Sequence, residues 1–417
     1  MQSAQSPLRT VAAGLIGNVL EWFDYAVYGF FSAEIGATFM RPGATKDDKD
    51  LVVWLVFWLG FAARPIGGLV LGVVGDRIGR RALMTLSIAL MGGATLVIGL
   101  LPGYATIGYA GLVLLIAMRV IQGFSLGGEF TGSMVYTTEL ATPLWRGIIA
   151  SSTAAGTTLG FLLGSLCAYI ITKTIGHEAS AAWGWRIPFI ASILFCIAGW
   201  LLRRGIHESV QGEKAKAERA PILPSLLGDW KPIVQTFGIV ALTNAAYYFT
   251  FTFAGERRKA EGYDVQLLTT ISLCVVLALK IGGGWLSDRL GRRKLMIALT
   301  LVMMVALPFA QRFMLEGDES QFLLGQLMLG IPLAMALGLQ GAMVVEIFPL
   351  RTRVTSMSFA YSISLALAGG IAPIVAKYLI DKVHSTTALT IYMLSYGVIG
   401  LPIMLGMRET NTRSLDV

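Results

Sequence analysis

The amino-acid sequence predicts an all-α membrane protein with twelve transmembrane helices in two pseudo-symmetric bundles of six. Of its 417 residues, 55% are hydrophobic and only 14% are charged, whereas an ordinary soluble domain carries about 25% charged residues. The apolar residues are gathered into about twelve runs, each long enough to cross a bilayer core of about 30 Å. Two motifs also recur in the second half of the chain. The composition excludes a typical cytosolic enzyme and a disordered chain.

Each apolar run is predicted to be a helix, because a helix satisfies its own backbone hydrogen bonds within lipid. A β-barrel would need apolar and polar side chains to alternate at every second residue. Charges, Pro and Gly at the ends of the runs give the expected limits of the spans, which are 11–38, 51–74, 82–101, 107–135, 147–172, 184–203, 233–254, 266–287, 295–314, 321–345, 354–378 and 386–407.

Basic residues predict the orientation of these spans. An even number of spans places both termini on one side, and that side holds roughly 19 of the Lys and Arg residues against about 11 on the other. The net charge of +8 comes from short basic clusters between apolar runs, as in loops that face an anionic leaflet, and not from the continuous basic face of a nucleic-acid-binding protein. We therefore expect cytoplasmic termini and no nucleic-acid partner.

A polar stretch and an internal repeat predict the domain organisation. Residues 204–231 form the longest polar stretch and are expected to link an N-terminal bundle, 1–203, to a C-terminal bundle, 232–417. GVVGDRIGRR at 72–81 returns as GGWLSDRLGRRK at 283–294, an offset of 212 residues between the two aspartates. A second pair of motifs, Glu139 with Arg146 and Glu346 with Arg351, recurs at an offset of 207 for the glutamates. Two parallel halves follow from these repeats.

The loop motif resembles a family signature. G-x-x-x-D-R-x-G-R-R after the second and eighth spans is similar to the signature of the major facilitator superfamily. GNVLEWFDYAVYGF in the first span, ARPIGG at 63–68, RVIQGFSLGGE at 119–129 and WGWRIPF at 183–189 resemble its metabolite:proton symporter branch, which carries citrate, α-ketoglutarate, shikimate, and proline or betaine. The resemblance implies the major facilitator fold, alternating access, uptake driven by a proton gradient and a bacterial inner membrane.

Charged residues in and near these loops are predicted to form a latch on the cytoplasmic face. Asp76 is placed to bind a helix N-terminus or an arginine, and Arg80 and Arg81 are placed to bond acidic groups such as Glu139. The repeat gives Asp288, Arg292 and Glu346 the same expected roles. The alternative is that the arginines set topology and contact lipid phosphates.

Acidic residues within the spans are the predicted proton-coupling groups. Asn18, Glu21, Tyr25 and Tyr28 share one face of the first helix, and Asp24 lies beside Glu21. Two close carboxylates repel, so one can take up and release a proton. Glu129, after two glycines in the fourth span, is a third acceptor of this kind. A structural hydrogen-bond cluster is the alternative.

Cations and polar groups within the spans are the predicted substrate ligands, since intramembrane charges are costly unless they face a cavity or a partner. Arg119 with Gln122 suits a carboxylate, unless Arg119 pairs with Glu21 or Asp24. Arg64 and Lys280 have the same two interpretations, namely substrate binding or a pair with a first-span acid. Uncharged groups expected to orient the ligand are Tyr28, Asn244, Tyr247 and Tyr248.

Three buried cations favour an anionic substrate, so the leading hypothesis is proton-coupled import of a small organic acid. The alternative within the same class is symport of a zwitterion such as proline or betaine, with its cation in an aromatic cage. That cage would be formed by Trp22, Tyr25, Tyr28 and Tyr247. Proton-driven efflux of amphipathic drugs is a third hypothesis, and the three cations argue against it.

The sequence does not indicate an enzyme or a metal-binding protein. There is no Walker loop and no G-x-S-x-G motif, and the three cysteines lie in apolar stretches without metal-ligand spacing. We expect a transporter that is no enzyme, holds no cofactor or metal, and functions as a monomer. The family pattern is broken after the seventh span, where the basic segment 254–259 could act as an electrostatic funnel for anions.

Overall fold

The computed structural model describes residues 7–203, 222–411 and 415, and twelve long helical segments make up most of this part of the chain. Ten of these segments are long and apolar enough to cross a membrane, and α6 contains a shorter apolar helix. The segments are α1 (Pro7–Phe30), α2 (Lys46–Arg77), α3 (Arg80–Leu100), α4 (Tyr109–Leu140), α5 (Arg146–Ala179), α6 (Arg186–Arg203), α7 (Trp230–Ala260), α8 (Gln266–Leu290), α9 (Arg292–Glu316), α10 (Glu319–Ile347), α11 (Leu350–Asp381) and α12 (Thr386–Leu405).

Proline and wide turns interrupt several helices. α2 breaks at Ala63, because Pro65 has no N–H to donate to the carbonyl four residues earlier. α11 widens into a π-helical turn at Leu365–Gly370, immediately before Pro373. α7 contains a similar turn at Phe249–Phe253. Such turns are frequent at functional sites.

The observed limits differ most from the predicted ones at the ends of the first, fifth and seventh spans, and the fifth continues to Ala179. The first span ends at Phe30, and Ser32–Phe39 forms a separate short helix. The seventh continues through Gly255 to Ala260 and ends just before Gly262, whose φ is +96°. Of the predicted linker, residues 204–221 lie outside the described residues.

The helices pack in the same pattern in both halves. In the first half α1 contacts α5, and α2 and α3 contact α4; in the second α7 contacts α11, and α8 and α9 contact α10. The halves meet where α2 crosses α11 and α5 crosses α8. Glycines allow this approach: a Cβ on Gly72 would lie 2.8 Å from the Cα of Thr355, and one on Gly284 would lie 2.5 Å from the carbonyl oxygen of Gly147.

Candidate functional site

A small cavity lies between the two halves of the molecule. Its volume is about 20 Å³, roughly the room that one water molecule needs. Of the residues predicted to bind substrate, Lys280, Asn244 and Tyr247 line it, whereas Arg64, Arg119, Gln122 and Tyr28 do not. The complete lining consists of Trp22, Phe130, Met134, Ala154, Thr157, Asn244, Tyr247, Lys280, Leu337, Gln340, Gly341 and Tyr361.

Aromatic rings from both halves surround this cavity. Trp22 of α1 meets Phe130 of α4 edge to face, with centroids 5.8 Å apart, and Phe130 lies 5.1 Å from Tyr361 of α11. On the other side Trp22 stacks on Tyr248 at 6.4 Å. Sequence reasoning singled out Trp22, Tyr247 and Tyr248 but missed Phe130 and Tyr361. No local pattern identifies those two rings, since their helices are far apart in the chain.

Lys280 of α8 provides the cation of the cavity. Its Nζ donates to the carbonyl oxygen of Ala154, at 3.0 Å, and to Oγ1 of Thr157, at 2.9 Å, both on α5. The side chain is buried, and Nζ lies 5.5 Å from the centroid of the Tyr247 ring. In the part of the chain that the structure describes, no carboxylate pairs with it, so the expected alternative of a pair with a first-span acid is not observed.

Asp24 and Arg119 form a fully buried ion pair. The Arg119 Nη1 lies 3.1 Å from Asp24 Oδ2 and donates to Gln122 Oε1 at 2.8 Å. The guanidinium sits over the ring of Tyr28, at 3.8 Å, and over that of Tyr25, at 4.6 Å. Of the two readings of Arg119, the structure shows the internal pair. Tyr25 and Tyr28, predicted as cage residues, cover this guanidinium instead of lining the cavity.

Arg64, Glu21 and Glu129 are three further buried charged residues within the helices of the first half. The Cζ of Arg64 lies 5.7 Å from the ring centroids of both Trp22 and Phe61. Its Nε and Nη1 have no hydrogen-bond partner among the described residues. Glu21 of α1 and Glu129 of α4 are 2% and 0% exposed. Arg64 thus lies beside the tryptophan that lines the cavity.

We call the end of the molecule that carries the two DRxGRR loops the motif face. There each motif aspartate caps a helix of the other half. Asp76 Oδ2 accepts from the backbone N, at 3.0 Å, and from Oγ1, at 2.6 Å, of Thr355 near the start of α11. Asp288 accepts from the backbone N–H groups of Gly147 and Ile148 at the start of α5, at 2.8 and 3.1 Å. A helix N-terminus favours a carboxylate.

Buried ion pairs reinforce the motif face. Arg292 binds Glu346 through two parallel bonds, Nε to Oε2 at 2.6 Å and Nη2 to Oε1 at 2.9 Å. Arg146 of the first half reaches the same Glu346 at 3.2 Å. In the mirrored arrangement Arg353 of the second half lies 3.3 Å from Glu139. These contacts join the halves in a water-poor interface, where charged hydrogen bonds are strongest.

One expectation about the latch stays a prediction and another changes. Glu139 contacts Arg353, and the side chains of Arg80 and Arg81, its expected partners, lie outside the described part of the structure. The repeat partner of Arg146 is Arg353 and not Arg351, because Arg146 and Arg353 each directly follow a short 3-10 turn.

The C-terminal segment after α12 also binds the motif face. Glu409 accepts from the backbone N–H groups of Arg292, at 2.7 Å, and Arg293, at 3.1 Å. Burial raises the pKa of the Glu409 carboxyl, but these backbone donors lower it, and the pKa lies below its ordinary value. The carbonyl oxygen of Leu415 accepts from Arg353 at 2.8 Å. The segment therefore touches two of the latch arginines.

At the opposite face, the end of the molecule away from the loops, the basic segment after the seventh span is neutralised. Arg257 pairs with Asp381, and Arg258 lies 2.8 Å from Glu261. Each guanidinium thus has an acidic neighbour, which argues against the expected funnel for anions.

Comparisons with known proteins place the chain in a family. Residues 10–221 match a family model described as "Sugar (and other) transporter", and residues 236–415 match the model described as "Major Facilitator Superfamily". The chain belongs to the major facilitator superfamily. The predicted family is confirmed, and this superfamily member is a multi-pass transporter and not an enzyme.

The superfamily member also resembles named transporters over nearly its whole length. It is 30% identical to a proline/betaine transporter of Salmonella typhimurium, covering 98% of this chain and 84% of that protein. It is 32% identical to a putative proline/betaine transporter of Staphylococcus aureus, covering 96% and 88%. A glycine betaine/proline/ectoine/pipecolic acid transporter of Dickeya dadantii is 30% identical, covering 98% and 84%.

Solved structures confirm the predicted fold class. The proton:xylose symporter XylE bound to 6-bromo-6-deoxy-D-glucose matches with a TM-score of 0.82 at 19% identity, covering 98% of each chain. A partially occluded inward-open XylE from E. coli matches with a TM-score of 0.76 at 19% identity, covering 99% of this chain and 100% of that one. Twelve helices in two bundles of six are the architecture of this superfamily member.

Proposed function

We propose that this superfamily member is a proton-coupled symporter of a small zwitterion such as proline or betaine. The relatives that match over almost the full chain carry those substrates in their names. The observation in the structure that carries the proposal is the central cavity, where aromatic rings of both halves surround one ammonium group. Major facilitator proteins bind substrate at the interface between their repeats.

The cavity offers a partner for each end of a zwitterion. Lys280 presents an ammonium to a carboxylate. Trp22, Phe130 and Tyr361 present ring faces and edges to a quaternary or secondary ammonium, an interaction worth about 0.5 to 2 kcal/mol. A cargo with both charges thus bridges the halves, since Lys280 lies in the second half and Trp22 in the first.

The buried positive and negative charges are balanced, and an organic acid is therefore the second candidate substrate. Sequence reasoning weighed three cations, but three acids are buried with them, and Asp24 directly neutralises Arg119. An interior of balanced charge suits a cargo without net charge. The observation that favours a carboxylate anion is Arg64, whose Nε and Nη1 have no hydrogen-bond partner among the described residues.

Asp24 is the proposed proton-coupling group. Protonation of its carboxyl would release Arg119, so a proton would change the packing of α1 against α4. Glu21 and Glu129 are the alternative acceptors. Intramembrane ion pairs of this kind commonly mark proton relays.

The motif face is the proposed cytoplasmic gate. The counts of basic residues support a position of this face, and of both termini, on the cytoplasmic side of a bacterial membrane. Asp76, Asp288 and their ion-pair neighbours close it, and they separate when the halves rock apart. Because one chain provides both halves of the site, a monomer is sufficient for the proposed transport.

Uptake into proteoliposomes tests the proposed function. With an inward pH gradient we expect radiolabelled betaine or proline to accumulate, and citrate not to accumulate. Trp22→Leu should raise the KM for betaine by roughly 3- to 30-fold, whereas Trp183→Leu, a matched control at a half-exposed position, should not change it. Accumulation of citrate alone would support the organic-acid alternative, and outward movement of cationic dyes would support efflux.

A further inference from the structure

Lys280 donates hydrogen bonds to two neighbouring oxygen atoms of α5. The carbonyl oxygen of Ala154 and the hydroxyl of Thr157 both lie within 3.0 Å of Nζ. Thr157 Oγ1 also donates its proton to the Ala154 carbonyl at 2.7 Å. That bond fixes the hydroxyl, so its lone pairs face the ammonium. The chain thus presents Lys280 with two acceptor oxygens 2.7 Å apart, an arrangement that resembles a carboxylate group.

The two bonds compete with a bound substrate. An ammonium has three N–H donors, and α5 uses two of them. The cavity beside Nζ is far too small for a molecule of the size of proline, so cargo enters only when the halves separate, which breaks a bond between α8 and α5. A substrate carboxylate would then satisfy the donors that α5 had satisfied before.

We propose that Thr157, with the Ala154 carbonyl, takes the place of the substrate carboxylate on Lys280 when the carrier changes sides without cargo. The inference rests on the proposed function only in assigning Lys280 to a cargo carboxylate. A buried ammonium without acceptors costs several kcal/mol, so an empty carrier without this pair cannot close easily. Thr157 is therefore a positioning residue for the return step, and the loaded step does not need it.

Comparing two modes of transport tests this role. Net uptake requires the empty return, whereas exchange of labelled for unlabelled substrate uses only loaded carriers. Thr157→Val keeps the shape and removes the hydroxyl, and a hydrogen bond to a charged group is worth about tenfold or more in an equilibrium. We expect the ratio of net uptake to exchange to fall about tenfold in Thr157→Val and to recover in Thr157→Ser.

Thr153→Val is the matched control on the same helix. Thr153 is also buried, but its hydroxyl bonds Thr137 of the first half, whereas Lys280 donates to Ala154 and Thr157. Its ratio should equal that of the wild type. The inference would be overturned if the ratio of net uptake to exchange were unchanged in Thr157→Val, or if Thr157→Ser reduced it equally. It would also be overturned if the substrate of the wild-type carrier had no carboxylate. A wild-type protein that exchanges an organic acid but neither betaine nor proline would defeat the proposed function while leaving this test in force.

Discussion

At the scale of single residues, Asp24 is bound through its charge to one other buried side chain. Its ionic partner among the described residues is Arg119, and both side chains are fully buried. Asp24→Asn should therefore abolish accumulation driven by a pH gradient, while exchange of substrate continues. Transport with imposed and collapsed pH gradients in proteoliposomes measures the difference.

The single variant leaves the Arg119 charge uncompensated, which in buried pairs destabilises a protein by about 3–5 kcal/mol. The double variant Asp24→Asn, Arg119→Gln removes both charges and should restore expression without restoring accumulation. Asp48→Asn, at an exposed position of α2, is the matched control. If the double variant still accumulates substrate in response to a pH gradient, Asp24 does not carry the proton.

At the scale of helices, the crossing of α5 and α8 limits how far the motif face can close. Gly284 makes the closest approach, and a side chain there would meet the Gly147 carbonyl. Gly284→Leu should push the two helices apart at a cost of about 1–3 kcal/mol, enough to shift the ratio of closed to open carriers about fivefold or more. Gly282→Leu, at a position with open space around its Cβ, should have no such effect.

Spin labels report this opening directly. Leu144, in the loop before α5, and Leu227, before α7, are exposed on opposite halves at the motif face. Both are replaced by cysteine in a chain whose three native cysteines are changed to alanine. Pulsed electron resonance should show a longer 144–227 distance in Gly284→Leu than in Gly282→Leu, and equal distances would contradict this role of the crossing.

The sequence was sufficient to predict the helices but not all of the contacts between them. Apolar runs and the offset repeats predicted the spans and the two halves, because lipid and duplication both leave local patterns. The ring cluster around Trp22 was not predictable, since Phe130 and Tyr361 lie on helices far apart in the chain. Arg353 was predictable in principle: the offset of 207 that relates Glu139 to Glu346 also relates Arg146 to it.

At the scale of the whole molecule, the two halves contribute equivalent residues to the motif face, but their buried charges differ. The same offset maps Arg119 onto Gln326, a neutral side chain that bonds Ser272, Thr269 and the Thr250 carbonyl. The second half therefore keeps a buried polar network at the equivalent place without an ion pair there. This division agrees with the proposed proton coupling in the first half and the proposed carboxylate binding by Lys280 in the second.

The two faces differ in exposure, and this difference predicts how salt acts on the carrier. At the motif face the pairs between halves are buried, with Arg353 and Glu139 at 1% and 0% side-chain exposure. At the opposite face Lys173 and Asp264 are both 57% exposed, and Lys382 with Asp47 is 65% and 63% exposed. Salt screens exposed charges and reaches buried ones far less.

Raising the salt concentration from about 0.1 M to about 1 M shortens the Debye length from about 10 Å to about 3 Å, so the opposite face should open more often while the motif face stays closed. Labels at Arg41 and His384, exposed on the two halves at the opposite face, should move apart in KCl but not in sucrose of equal osmolality. The labels at 144 and 227 serve as the internal control. Equal changes at both faces would mean that exposure of the ion pairs does not determine which face opens.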